Sequence, residues 1–207
     1  MATVNDNSLI QCGVHATLDD LYRVEGKAEL IGGRIVHFMA SGMKPSEVAF
    51  DIAISLREHV KRTNVGKAFA DGIGYALRPR LSSGRESFSP DASYYAGPLP
   101  ANAMRFIEGA PTFAVEVRSE DDYGPTAERE LAEKRADYFE AGTLVVWDVD
   151  PLARTIACYR SPSIAPSAAR MPASPPILFK SGDTADAEPA VSGWKIGVDE
   201  VFGTMTP

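Results

Sequence analysis

The chain has 207 residues, of which 44% are hydrophobic and 24% are charged, as in ordinary globular proteins. This composition excludes an intrinsically disordered chain, and the length suits one domain with a substantial core. No apolar run approaches the roughly 18 residues that a membrane-spanning helix needs, and residues 1–13 lack the features of a signal peptide. The cysteines, Cys12 and Cys158, are far apart and form no CxxC pair. We therefore expect a cytoplasmic protein with reduced thiols and no membrane contact.

The net charge of −7 argues against a protein that holds nucleic acid through a uniformly basic surface. It is compatible with a local basic groove, and acidic residues gathered around a cation would themselves make the total negative. The charge therefore disfavours a nucleic-acid partner without excluding one.

The first third of the sequence predicts a short helix, a β-hairpin and a long helix. The Thr17 hydroxyl can cap a helix over residues 17–24. Two β-type runs in residues 28–38 flank the Gly32-Gly33 pair, which suits a two-residue hairpin turn. A helix that ends around Arg62 is indicated by apolar residues at every fourth position, namely Val48, Ile52, Leu56 and Val60.

The middle of the sequence predicts strands that flank a second helix. Strand-like segments, separated by Pro, Gly and Ser loops, are residues 68–77, 91–95 and 113–118. Pro125 opens and Gly142 ends a predicted helix over residues 126–141. A buried strand (143–149) follows, and then a return strand (155–159). Strand, helix and strand in that order favour a parallel crossover.

The C-terminal part begins with a segment rich in Ser, Ala and Pro, residues 161–176, which predicts an irregular loop. Short strands are predicted at residues 177–179 and 191–196, and a turn at 198–202. We divide the chain into an N-terminal arm (1–16), a core domain (17–160) and a C-terminal segment (161–207) packed on the core.

Several charged residues form a pattern that suits phosphodiester cleavage, which needs a cation, an activated water and a positive group near the reacting oxygens. Asp91 begins one predicted strand, and Glu116 lies in a mostly apolar one. Arg118 follows Glu116 at the spacing that puts both on one side of a strand. Lys134 lies on the following helix, and Glu29 in the hairpin is a fourth candidate. Hard cations such as Mg²⁺ prefer such carboxylate ligands.

Structural interpretations compete with each of these assignments. Asp91 after a proline could equally cap a turn. An unpaired acid in an apolar strand is costly, so Glu116 needs a metal, a cleft or an ion pair with Arg118 or Lys134. Lys134 could be a solvated helix residue.

Other conspicuous residues have ordinary explanations. Arginines in a Gly/Ser loop could contact phosphates, although such residues usually only solvate a loop; they are Arg78, Arg80 and Arg85. The histidines show no ligand spacing, which favours structural roles; they are His15, His37 and His59. Trp147 and Tyr138 are expected in the core.

The chain resembles the bacterial putative restriction endonuclease family, formerly a domain of unknown function, of the PD-(D/E)-x-K nuclease superfamily. The resemblance runs from Thr17 to about Tyr159. It is carried by the segments Ala28-Glu29-Leu30-Ile31-Gly32-Gly33, Pro90-Asp91-Ala92-Ser93, Phe113-Ala114-Val115-Glu116-Val117-Arg118-Ser119, Lys134-Arg135-Ala136-Asp137-Tyr138 and Val146-Trp147-Asp148-Val149-Asp150.

The resemblance implies an α/β fold (an α+β mixed sheet flanked by helices) with a restriction-endonuclease-like core. It further implies a Mg²⁺ site at Asp91 and Glu116, which Mn²⁺ could also occupy, an assisting acid at Glu29, and a homodimer.

The chain departs from the superfamily pattern at the lysine that normally lies two residues after the second acid. Arg118 stands there, and arginine stabilises charge but does not act as a base. The resemblance suggests Lys134 as the substitute. A histidine common near the start of the first long helix is replaced by Ser46-Glu47, so its role is not transferred.

We therefore expect a Mg²⁺-dependent endonuclease that hydrolyses phosphodiester bonds of nucleic acid, with DNA as the expected substrate. The alternative is a catalytically weak or silent homo-oligomeric binding protein that keeps the nuclease fold.

Overall fold

The structure is a computed structural model that describes residues 15–162 and 175–203. Most of the predicted N-terminal arm, with Cys12, and most of the predicted Ser/Ala/Pro loop lie outside the described residues. None of the helices in the described ranges combines the length and the hydropathy that a bilayer crossing requires.

The described residues form helices and strands with the following bounds. The helices are α1 (Leu18–Leu21), α2 (Met43–Thr63), α3 (Pro125–Glu140) and α4 (Val198–Phe202). The strands are β1 (Ala28–Ile31), β2 (Arg34–His37), β3 (Lys67–Ala70), β4 (Tyr75–Ala76), β5 (Ser87–Phe88), β6 (Ala92–Tyr95), β7 (Ile107–Glu108), β8 (Phe113–Val117), β9 (Val145–Asp150), β10 (Thr155–Arg160), β11 (Ile177–Phe179), β12 (Thr184–Asp186) and β13 (Lys195–Gly197).

The largest sheet in the described part of the chain is mixed, with the strand order β11-β10-β9-β8-β6-β3. Strands β8 and β9 are parallel, and the other neighbours are antiparallel. Helix α3 connects the two parallel strands, which confirms the predicted crossover. The helix ends where Gly142 takes a φ of 100°, a conformation that favours glycine.

Successive side chains of β8 point to opposite faces of this sheet, and each face has its own core. Phe113, Val115 and Val117 lie in the cluster that contains the buried face of α2. Ala114 lies in the cluster on the other face, which includes Tyr138 of α3. Each fully buried large apolar side chain contributes roughly 1.5–3 kcal/mol to stability. Glu116 has the same parity as Ala114 and therefore lies on the α3 side.

The predicted hairpin is present, and its docking brings Glu29 into the interior. Gly32 and Gly33 form the turn between β1 and β2 with φ values of 59° and 73°, which suit glycine. The Leu30 amide donates to the Ser87 hydroxyl at 2.7 Å, and the Gly32 amide donates to the Gly84 carbonyl at 2.7 Å. These bonds hold the hairpin against the segment that leads into β5.

Helix α1 is shorter than the sequence predicts. The Thr17 side chain caps it as expected, with Asp20 completing a capping box. The helix ends at Leu21 because the amides of Arg23 and Val24 bond to carbonyls three residues back, which tightens the chain into a turn.

Two predicted strands differ from those in the structure. The run 68–77 is divided between β3 and β4, since a turn at Asp71-Gly72 sends β4 into a separate sheet with β5 and β7. At the C-terminal end, β13 begins only at Lys195 and pairs with β12. Residues just before it pack in the α2-side core; Trp194, for example, is 1% exposed.

Candidate active site

Glu116 lies at the carboxyl end of β8, facing α3. Both of its carboxylate oxygens accept hydrogen bonds from that helix: Lys134 Nζ donates to Oε2 at 2.7 Å, and the Tyr138 hydroxyl donates to Oε1 at 2.6 Å. Lys134 and Tyr138 are four residues apart and therefore lie on one face of α3. Burial raises the pKa of Glu116, the charge of Asp91 raises it further, and Lys134 opposes both.

Asp91 immediately precedes β6 and is tied to β8. Its amide donates to the Val115 carbonyl at 3.1 Å, and its Oδ2 accepts the Val117 amide at 2.8 Å. Its Oδ1 accepts from Lys27 Nζ at 2.7 Å. The carboxylate is thus fixed to the strand residue that follows Glu116, and the structure brings the two predicted metal ligands to the same end of neighbouring strands.

Glu29 is fully buried and surrounded by positive groups. Its carboxylate pairs with Arg85 and accepts the Ser89 amide at 2.9 Å, and Lys134 Nζ lies 3.5 Å from Oε1. Burial alone would raise the pKa of Glu29, but Lys134, Arg85 and the Ser89 amide hold it below its ordinary value. Glu29 is therefore an ionised partner of Lys134.

Lys134 is shared by two acids. Burial alone would lower the pKa of its ammonium, but the charges of Glu116 and Glu29 raise it overall. The ammonium lies 5.6 Å from the centre of the Phe38 ring. Lys134 is therefore a partly buried, permanently charged group beside Glu116, rather than a solvated helix residue.

Arg118 is engaged by other partners. Its guanidinium donates to both oxygens of Asp148, at 2.8 and 2.9 Å, and pairs with Glu128. Asp148 also accepts from Arg135 of α3 at 3.1 Å. Of the two ion-pair partners considered for Glu116 from the sequence, the structure selects Lys134.

Lys27 was not predicted from the sequence, and two further residues of the site were expected in other roles. Tyr138 was expected only in the core, yet its hydroxyl contacts Glu116. Arg85 was expected in a solvated loop, yet it is buried and joins Glu29 to Asp137. The signal for Lys27 was its position two residues before Glu29, because that spacing repeats on one side of an extended chain.

The carboxylates of Asp91 and Glu116 are the kind of ligands that a Mg²⁺ ion takes. Water and substrate would complete the coordination of such an ion. Within residues 15–162 and 175–203, no group of three or more His, Cys, Asp or Glu side chains is placed to hold a metal ion.

A mixed sheet flanked by helices, with Asp91 and Glu116 at the same end of two neighbouring strands and Lys134 reaching Glu116 from α3, is the arrangement of the restriction-endonuclease-like class of fold. Residues 16–199 match the family model described as "Putative restriction endonuclease", named Uma2, and the chain belongs to that family. A similar solved structure is titled a putative nuclease belonging to DUF820, from Anabaena variabilis ATCC 29413. It shares 18% identity over 90% of this chain and 97% of that one, with a TM-score of 0.67. That likeness confirms the fold. No curated protein matches the chain.

Proposed function

We propose that the protein is a Mg²⁺-dependent endonuclease that hydrolyses phosphodiester bonds of DNA. The observation that carries this proposal is the convergence of Asp91 and Glu116 at one end of β6 and β8, with the Lys134 ammonium 2.7 Å from Glu116. Membership of the family described as "Putative restriction endonuclease" supports the same reaction class.

Asp91 and Glu116 are the residues that would hold the ion. When bound, a divalent cation supplies charge neutralisation at the phosphate and lowers the pKa of a nucleophilic water. The Val117 amide and the Tyr138 hydroxyl each hold one oxygen of these carboxylates in place.

Lys134 supplies a fixed positive charge for the negative charge that develops on the phosphate. Glu29 keeps Lys134 charged and, through Arg85, anchors it to the protein interior. Arg118 adds a second positive charge beside β8, held in place by Asp148 and Glu128.

Access to the site is provided by a cleft beside Asp91. The cleft is lined by the start of α2 and the end of β3, including Ser41, Ser46, Phe50 and Asp71. The hydroxyl groups of Ser41 and Ser46 suit contacts with a nucleic-acid backbone. The acidic net charge predicts weak, salt-sensitive binding.

A plasmid-nicking assay tests the proposal. Supercoiled DNA incubated with the protein and Mg²⁺ or Mn²⁺ should be nicked, and Glu116→Ala and Asp91→Ala should each abolish nicking. Glu130→Ala is a matched control, because Glu130 is an exposed acid on α3. Equal nicking by wild type and Glu116→Ala would reject the assignment and indicate a contaminating nuclease.

A second candidate function is a homo-oligomeric binding protein with weak or no catalysis. It is favoured by the acidic total charge. It is also favoured by the ion pairs that Lys27 makes with Asp91 and Lys134 makes with Glu116. If neither Mg²⁺ nor Mn²⁺ shifts the thermal melt and DNA fails to bind at low salt, this candidate replaces the nuclease.

A homodimer is part of the proposal. The outer face of α2 carries the exposed apolar residues Met43, Phe50 and Ile54, and β3 is an edge strand of the large sheet. Exposed apolar side chains beside an open sheet edge suit association with a second copy. A cytoplasmic location stays a prediction from the sequence.

A further inference from the structure

Lys27 lies just before β1 and bridges two carboxylates. Its Nζ is 2.7 Å from Oδ1 of Asp91 and 2.7 Å from Oδ1 of Asp71. The Asp71 side chain is 50% exposed, in the turn after β3, whereas that of Asp91 is 15% exposed. Both acids line the same cleft. Lys27 therefore connects the inner acid of the candidate site with an acid at its surface.

All four oxygens of the Asp91 and Glu116 carboxylates have donors. One oxygen of each accepts from a neutral group, the Val117 amide or the Tyr138 hydroxyl. The other accepts from an ammonium, Lys27 for Asp91 and Lys134 for Glu116. An ammonium carries the same sign of charge as a metal ion and competes with it for the same oxygen.

Each of these two lysines also pairs with a second acid, and the two second acids differ in burial. Lys134 has Glu29, which is buried and already paired with Arg85. Lys27 has Asp71, which is half exposed and lies at the cleft. Lys27 can therefore break its ion pair with Asp91 and keep an ion pair of equal length with Asp71 at the surface.

We propose that Lys27 is the internal counter-ion of Asp91 in the metal-free protein, and that it leaves Asp91 and stays paired with Asp71 when a divalent cation binds. The inference rests on the proposed function and adds to it a residue that sets metal affinity. Asp71 retains the released ammonium beside the cleft, where it adds positive charge close to a bound phosphate.

Calorimetric titration of Mn²⁺ into the metal-free full chain tests the role of Lys27. Lys27→Met removes the competing charge at similar side-chain length, so Mn²⁺ should bind at least about tenfold more tightly than in wild type. Lys67→Met is the matched control, because Lys67 is an exposed lysine at the start of β3. It should leave the affinity unchanged. An unchanged or weaker affinity in Lys27→Met would overturn the inference.

Asp71→Asn tests the retention of Lys27 by a separate route. Without Asp71 the release of Lys27 leaves the ammonium unpaired, so Mn²⁺ should bind several-fold more weakly. In the Lys27→Met background the same change should have no effect, which a double-mutant cycle measures. Because Asp71 is half exposed, Asp71→Asn can be titrated by itself even if Lys27→Met does not fold, and an unchanged Mn²⁺ affinity in that single variant would also overturn the role of Asp71. Equal effects in both backgrounds would overturn the role of Asp71.

The outcomes separate this inference from the proposed function. Asp91→Asn should remove Mn²⁺ binding in every background. If wild type does not bind Mn²⁺ but Lys27→Met does, competition by Lys27 is supported. If wild type and Lys27→Met bind equally, the inference fails and the metal site survives. If neither binds, the metal site fails and takes the inference with it.

Discussion

Glu116 and Asp148 are direct neighbours on the parallel strands β8 and β9, yet they pair with different kinds of cation. Glu116 binds Lys134, and Asp148 binds Arg118 and Arg135. Lys134 and Arg135, which are consecutive residues of α3, thus form ion pairs with acids that are neighbours across the two strands. Asp148 is 3% exposed and has two arginines, which suits a structural ion-pair network, whereas Glu116 shares a single lysine with Glu29.

Because Glu116 and Asp148 pair with different cations, we expect different consequences when Lys134 or Arg118 is removed. Lys134→Met should lower the cleavage rate about a hundredfold or more, the usual effect of removing one electrostatic stabiliser. Arg118→Met should lower the rate less and should instead destabilise the fold by about 3 kcal/mol, because it leaves the buried Asp148 with only Arg135. Single-turnover cleavage and urea unfolding measure the two effects. A catalytic loss in folded Arg118→Met as large as that in Lys134→Met would make Arg118 an equal partner.

The carboxylate pair predicts stabilisation by a divalent ion. At a hundredfold excess over its dissociation constant, Mg²⁺ or Mn²⁺ should add about 2.7 kcal/mol to the free energy of unfolding. Asp91→Asn should lose this increment while retaining the Val117 contact through its amide oxygen. Chemical unfolding with and without the ion gives the comparison, and an increment that persists in Asp91→Asn would locate the ion elsewhere.

Glu29 predicts a pH-dependent contribution to stability. Because its folded pKa lies below the ordinary value of 4.5, the contribution is fully present above about pH 4.5 and is lost as pH falls through the folded value. At pH 7, Glu29→Gln should cost about 3–5 kcal/mol, since it leaves the buried Arg85 short of a partner. The difference between the two proteins should shrink towards pH 3. Denaturant unfolding over this pH range checks the sign, and a gap that widens on acidification would contradict it.

The apolar face of α2 predicts a concentration-dependent assembly. Phe50 and Ile54 are one helical turn apart and are 60% and 44% exposed. Phe50→Glu with Ile54→Glu should convert a sedimenting dimer to a monomer at the same protein concentration. Arg129→Glu, an exposed charge reversal on α3 and therefore away from this face of α2, is the control. A wild type that sediments as a monomer throughout would remove the dimer from the proposal.

Much of the local structure was predictable because it depends on neighbours in the chain. The four-residue apolar spacing that includes Val48 and Ile52 indicated α2, and Gly32-Gly33 indicated the hairpin turn, since periodicity and positive φ are local properties. The errors in the predicted bounds also have local causes. At Asp71-Gly72, turn formation ended β3 before the apolar run was complete.

Glu116 was conspicuous in the sequence because a carboxylate within a buried strand is costly and needs a partner. Its partner was not decided, since Arg118 and Lys134 were both candidates, and no partner was predicted for Asp91. Lys27 and Lys134 are distant in the chain from the acids that they contact, and Arg118, two residues from Glu116, turns to Asp148 instead. The sequence alone therefore determined which elements form and which acids need a partner. Only the tertiary structure decided which cation each acid receives, because ion pairing depends on distances of a few ångströms that the packing of α3 and the hairpin against the sheet creates.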